Sequence, residues 1–181
     1  MNRRLAQGLD ASPTPREVPS TRAVIALGAN LGDRERTLSD AIAELARLPL
    51  VSAVRASVPI ESVAVTVDGE DPSEPAYLNA VALVDTTLAP SVLLSMLHAI
   101  ESKHGRERRV RWGARTLDLD LIAYGDVRAD TPALVLPHPR AAVRDFVLRP
   151  WLSLDPDAVL PGAGRVSALL SALDGAEGDR T

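Results

Sequence analysis

Two aspartates stand one residue apart in Leu117-Asp118-Leu119-Asp120-Leu121, and strict alternation of this kind is the period of an extended strand. A strand there turns both carboxylates to one face and the leucines to the other. The Cα atoms of Asp118 and Asp120 would lie roughly 6.5 Å apart, close enough for the carboxylates to share or bridge metal ions. On a helix the same pair would diverge. Just upstream, Arg106, Arg108, Arg109, Arg111 and Arg115 crowd into one connection. Guanidinium forks suit phosphate oxygens bidentately, so hard carboxylate ligands beside several arginines form the set that a magnesium-polyphosphate needs. The bland alternatives are two aspartates that wet an open sheet face and arginines that make surface ion pairs. Isolated pairs contribute only ~0–1 kcal/mol each, which is weak reason for such density.

The elements that must position these residues are readable in chain order. Residues 1–21 mix Pro, Ser, Arg and Gly without periodicity, and are expected to be a flexible leader before a single domain over 22–175 and a short tail at 176–181. An apolar run at 23–27 predicts a strand that ends at Gly28. Asp33 then offers an N-cap to a helix with Leu38, Ile42 and Leu45 on its apolar face. Residues 50–61 read as a second strand, irregular at Pro59, followed by a long acidic loop over 62–76. A third strand is expected over 77–86. Pro90 opens a second helix carrying Leu93, Leu97 and Ile100, and Gly105 ends it. The fourth strand, 116–124, stops at the Gly125-Asp126 turn. The order β-α-β-β-α-β is the ferredoxin-like pattern of an α+β sandwich, with helices on one sheet face and the other face open for a ligand. C-terminal additions are expected as a strand or short helix over 143–154 and a helix over 167–173.

Composition bounds the partners. A net charge of -4 argues against a general nucleic-acid binder, although Lys103 is the only lysine and the cationic charge is otherwise arginine. No stretch approaches the ~20 apolar residues of a membrane span, and the N-terminus has no secretory apolar core, so a cytoplasmic location is expected. The absence of cysteine removes disulfides and thiolate ligands, leaving oxygen or imidazole to hold any metal. Gly28-Ala29-Asn30-Leu31-Gly32 is followed by Asp33 rather than Lys, so it is no Walker A loop.

The stretch Arg111-Trp112-Gly113-Ala114-Arg115-Thr116-Leu117-Asp118-Leu119-Asp120-Leu121 resembles the signature of the 6-hydroxymethyl-7,8-dihydropterin pyrophosphokinase family. The likeness continues in Leu27-Gly28-Ala29-Asn30-Leu31-Gly32-Asp33, in Tyr77-Leu78-Asn79-Ala80, and in Leu136-Pro137-His138-Pro139-Arg140 with Phe146-Val147-Leu148, so that it spans residues 22 to about 162. It implies transfer of the β,γ-diphosphate of ATP to the pterin hydroxymethyl oxygen with release of AMP, in folate biosynthesis. By position, Asp118 and Asp120 would hold two Mg2+ ions. Arg106, Arg108 and Arg115 would join them in catalysis, the first two on a mobile loop. The resemblance gives the nucleotide His98, Glu101, Arg108, Trp112, Arg115, Leu121, His138 and Arg144. It gives the pterin Ser62, Val63, Val65, Tyr77, Asn79, Trp112, Asp118 and Phe146, with Tyr77 and Phe146 as the stacking pair and Asn79 at the ring edge. Gly28 and Asn30 would shape the adjoining wall.

Some positions depart from the family pattern. Ala114 replaces a common proline, His98 stands where a glutamine is usual, and Ser62-Val63-Ala64-Val65 lacks the usual prolines. The competing expectation is a non-catalytic ferredoxin-like module for a small ligand or RNA. An RNA version would want aromatics and basic charge on the sheet, which here offers chiefly Tyr77 and two aspartates. The reading implies small-molecule partners only, ATP and hydroxymethyl-dihydropterin, and a monomer.

Overall fold

The computed structural model describes residues 19–66, 69–71, 73, 75–105 and 116–178. The chain runs β1 (Thr21–Ala29), α1 (Arg34–Ala46), β2 (Val51–Ala56), β3 (Ile60–Ser62), β4 (Ala64–Thr66), β5 (Gly69–Asp71), β6 (Tyr77–Thr86), α2 (Pro90–Lys103) and β7 (Asp118–Tyr124). It continues with β8 (Ala129–Thr131), β9 (Leu134–Leu136), a 3-10 turn (Ala141–Val143), α3 (Asp145–Leu154), β10 (Val159–Leu160), β11 (Gly164–Arg165) and α4 (Val166–Gly178). The main sheet has the order β2-β6-β1-β7, antiparallel at each pairing, and β3 also pairs with β6. With helices after the first and third main strands, this is the expected ferredoxin-like arrangement of an α+β fold.

Local chemistry explains the punctuation. The Arg36 N–H donates to Asp33 Oδ1 at 3.1 Å, so Asp33 caps α1 as expected. Pro90 has no N–H to lose and opens α2. The irregularity expected at Pro59 is a full break between β2 and β3. There Ser57 closes the gap, its N–H donating to the Val81 carbonyl and its Oγ accepting from the Val81 N–H. Within 62–76, expected as a loop, β4 and β5 pair as an antiparallel hairpin.

Helices α1 and α2 bury Leu38, Leu45, Leu93, Leu97 and Ile100 against Ile25, Leu27, Ala80, Ala82, Leu119 and Leu121 on one sheet face. The other face was expected to stay open, and this is corrected. Val24, Val81, Leu83 and Ile122 on that face pack against Val147, Leu148 and Trp151 of α3 and Val166 at the start of α4. The segment expected as a strand or short helix is therefore the helix α3, and it closes a second core. Among the described residues, one end of the face remains uncovered. No helix among the described residues is long and apolar enough to cross a membrane.

An irregularity in β7 divides the covered part from the uncovered part. Val24 pairs with Ala123 and Ile25 with Leu121, which leaves Ile122 as an extra residue, a β-bulge. Before it, Leu117, Leu119 and Leu121 face the α1/α2 core, so Asp118 and Asp120 face the other way. After it, Ile122 and Ala123 both belong to the second core and Tyr124 returns to the first.

Candidate active site

The open end of the sheet is a cavity of about 510 Å³. Strand register builds its floor: Gly28 of β1 lies between Asn79 of β6 and Asp118 of β7, and Ala26 lies beside Asp120 one step along. Position 28 needs glycine for space. A Cβ there would come within 3.2 Å of Asn79 Oδ1 and 3.7 Å of the Tyr77 ring. Ser62 and Tyr77 pair across β3 and β6, and Asn79 Nδ2 donates to Ser62 Oγ at 2.8 Å. Tyr77, Asn79, Ser62, Val63, Asp118 and Asp120 line the cavity together.

The opposite wall comes from the segment that leads into α3. Arg144 Nη1 donates to Asp120 Oδ2 at 3.1 Å, and its guanidinium sits 5.6 Å from the centroid of the Phe146 ring. His138 is held by its own backbone, whose N–H donates at 2.8 Å to the carbonyl of Ile122, the bulge residue. The Arg140 N–H donates to His138 Nδ1 at 3.2 Å, which leaves the neutral ring its proton on Nε2, the nitrogen 3.9 Å from Asp120 Oδ2. Thus a carboxylate, a guanidinium and an imidazole meet at one side of the cavity, with the Asp118 carboxylate two residues along.

Burial pushes the His138 imidazolium down from its ordinary range; Asp120 opposes this, Arg144 and Arg140 push the same way as burial, and Asp118 again opposes. In the metal-free protein the ring is expected to titrate below its usual value of about 6.5 in an NMR pH series, and lower still in an Asp120→Asn variant, which removes the largest opposing charge. The sign for stability follows. A folded-state value below the unfolded one means that the His138 contribution is present above ~6.5 and is lost as the pH falls through that value toward the folded one. A midpoint at or above 6.5 in the metal-free chain would contradict this.

The remaining expected residues fall elsewhere. His98 is exposed on α2 and does not line the cavity. Glu101 is buried on the helix side, its Oε1 accepting the Leu119 N–H at 2.8 Å on the outer edge of β7, between the two aspartates. The Leu121 side chain is in the α1/α2 core. Asn30 is buried beside the cavity rather than lining it, and its Nδ2 lies 3.4 Å from the Pro75 carbonyl. The backbone of Val65 is in β4 and its side chain lies outside the described residues, as do Arg106, Arg108, Arg109, Arg111, Trp112, Ala114 and Arg115. Sequence reasoning missed Arg140 and Val143, which also line the cavity, and Arg34, which braces it from outside. Arg140 could have been found, since it closes the Leu136-Pro137-His138-Pro139-Arg140 stretch; the other two carry no local signal.

Residues 24–156 match the family model for 7,8-dihydro-6-hydroxymethylpterin-pyrophosphokinase. The chain belongs to this family. Among its relatives, the 2-amino-4-hydroxy-6-hydroxymethyldihydropteridine pyrophosphokinase of Synechocystis sp. is 41% identical over 154 residues, covering 85% of this chain and 76% of that protein. The protein of the same name from Pseudomonas aeruginosa is 40% identical over 152 residues, covering 83% of this chain and 91% of that protein. Among solved structures, Plasmodium falciparum HPPK-DHPS, wild type with pterin and p-hydroxybenzoate, aligns with a TM-score of 0.65 at 12% identity. It covers 91% of this chain and 45% of that longer one, a likeness that bears on the fold alone. A member of the pyrophosphokinase family is an enzyme, and the alternative of a non-catalytic binding module is not favoured.

Proposed function

We propose that the chain transfers the β,γ-diphosphate of ATP to the hydroxymethyl oxygen of 6-hydroxymethyl-7,8-dihydropterin, releasing AMP, in folate biosynthesis, and that the open end of the sheet is where it does so. One observation carries the placement. Asp118 and Asp120 lie on a single strand face in the same cavity as Tyr77, Asn79 and Phe146. A flat polar heterocycle fits such a site: the Tyr77 and Phe146 rings offer faces to stack on, while the Asn79 amide and Ser62 hydroxyl offer edge hydrogen bonds. The space kept clear by Gly28 lets the ring approach Asn79 closely.

The acceptor oxygen attacks the β-phosphorus, the bond from that phosphorus to the α-β bridging oxygen breaks, AMP leaves with that oxygen, and the hydroxyl proton passes to water. The donor set fits magnesium. Among the described residues no group of three or more acidic, His or Cys side chains forms a protein cage, and Mg2+ characteristically takes one or two carboxylates and completes its shell with substrate phosphates and water. Asp118 and Asp120 would hold the two ions, which supply alignment and charge neutralisation when bound. Arg144 and His138, both beside Asp120, would contact phosphate oxygens in this reading. Arg106, Arg108, Arg115 and Trp112 complete the nucleotide side in this reading. His98 and Glu101 belong to the same proposal, as does Leu121, through its backbone. No general base is needed, since positioning and charge stabilisation supply most of the acceleration in this chemistry.

The same reading takes 22–175 as the catalytic domain, with Val63 and Val65 bordering the pterin, and a monomer in the cytoplasm, where ATP is available. Light scattering on the purified chain tests the monomer. The activity is tested by incubating the chain with MgATP and hydroxymethyl-dihydropterin and resolving the nucleotides. AMP is expected in a one-to-one ratio with diphosphorylated pterin, whereas ADP, or turnover without a divalent metal, would overturn the reading.

A further inference from the structure

Arg34 is the first residue of α1 and does not line the cavity, yet its guanidinium touches strand β3 and the residue that leads into β6, the two strands that carry the pterin wall. Nη1 donates to the carbonyl of Ala76 at 2.7 Å, and Nη2 donates to Glu61 Oε1 at 2.8 Å. Ala76 immediately precedes Tyr77, and Glu61 immediately precedes Ser62. These are the two points at which the acidic insert carrying the β4-β5 hairpin leaves and rejoins the main sheet. Strand β3 has only 3 residues, so its ladder to β6 is short, and its alignment depends on added ties. Asn30, in the connection between β1 and α1, supplies a second tie, to the Pro75 carbonyl.

We propose that Arg34 is a positioning residue for the pterin subsite, bridging the ends of β3 and β6 so that Ser62, Tyr77 and Asn79 keep the spacing that a flat, edge-bonded ring requires. The inference rests on the pterin reading of that wall. A planar guanidinium suits the task because its fork reaches a carbonyl and a carboxylate at once, whereas an ammonium is a point charge that reaches one of them. The ion pair to Glu61 is partly exposed and contributes little by itself. The bond to the Ala76 carbonyl, in the partly buried seam, is what fixes the entrance to Tyr77. In the proposed reading the nucleotide would be held by other elements, so the effect should be confined to the pterin.

Arg34→Gln and Arg34→Lys test this against the unaltered chain, with KM for hydroxymethyl-dihydropterin, KM for MgATP, kcat and Tm measured for each. In Arg34→Gln the pterin KM is expected to rise on the order of tenfold while the MgATP KM and kcat stay within about twofold, because displaced first contacts weaken binding of the ligand they face. Arg34→Lys should recover only part of the loss. An unchanged pterin KM in Arg34→Gln overturns the inference, as does full recovery with Lys, or a joint change in both KM values and kcat accompanied by a large fall in Tm. Fluorescence titration with the pterin in the presence of a nonhydrolysable MgATP analogue separates this from the reading beneath it. A chain that binds the pterin with an Arg34-dependent Kd but releases no AMP overturns the pyrophosphokinase reading and leaves Arg34 in its place; a chain that binds no pterin overturns both.

Discussion

Asp120→Asn is expected to lower kcat on the order of a thousandfold, equivalent to about 4 kcal/mol of transition-state stabilisation, because an amide oxygen is a far poorer magnesium ligand than a carboxylate. The substitution keeps the shape of the side chain and leaves an acceptor for Arg144 Nη1, now 3.1 Å from Oδ2. Asp120 is partly exposed at the cavity, so no buried core group loses its partner. The folded state should therefore survive, with Tm close to that of the unaltered chain. Asp118→Asn is expected to behave alike, since register puts it on the same strand face. Measuring AMP release against magnesium concentration separates the possibilities. Recovery of kcat at high magnesium would show weakened metal affinity alone, and a variant retaining more than about a tenth of kcat at ordinary magnesium would sink the assignment of the ligand pair.

Leu148→Ala is expected to cost about 3 kcal/mol of stability, with a Tm fall of roughly 6–12 °C for a chain of this size. Leu148 is fully buried in the second core, between the sheet and α4. Removing everything beyond its Cβ leaves a void in the cluster that Leu148 shares with Val81, Leu83 and Trp151, which belong to a strand and a helix that cannot both collapse onto it. Urea or thermal unfolding measures the loss. The substitution also has a reading at the site. Phe146 lies on the same helix and Arg144 caps it, so a loosened α3 should raise the pterin KM as well. A change under about 1 kcal/mol would mean that α3 is not held by this core.

Much of the site was visible in the sequence because period-two alternation is a local property. Asp118 with Asp120, and Tyr77 with Asn79, are pairs two apart on strands, and each pair lands together in the cavity. The caps at Asp33 and Pro90 were legible for the same reason. Coverage of the second sheet face was misjudged although a signal existed. The runs Ala23 to Leu27 and Ala80 to Val84 are apolar without alternation, the mark of strands buried on both sides. The β4-β5 hairpin escaped notice because its strands are 3 residues each. Arg34 was out of reach altogether. Its partners lie 27 and 42 residues away, and nothing local distinguishes it from any other arginine in a first helical turn.

The extra residue in β7 adds a carbonyl to the strand without changing which of its neighbours pair. Ile122 accommodates a change of phase: upstream, odd-numbered leucines meet the helices; downstream, Tyr124 does so instead. Exchanging Ile122 for valine alters a little volume. Deleting it would leave Leu121 opposite Ile25 and Ala123 opposite Val24 in an unbroken ladder, so Asp118, Asp120 and Tyr124 keep their faces, but the carbonyl to which the His138 N–H donates would be gone. Loss of that single residue should thus leave the sheet standing and release the imidazole from its anchor, so a deletion survey would find the fold retained at 122 and the site impaired.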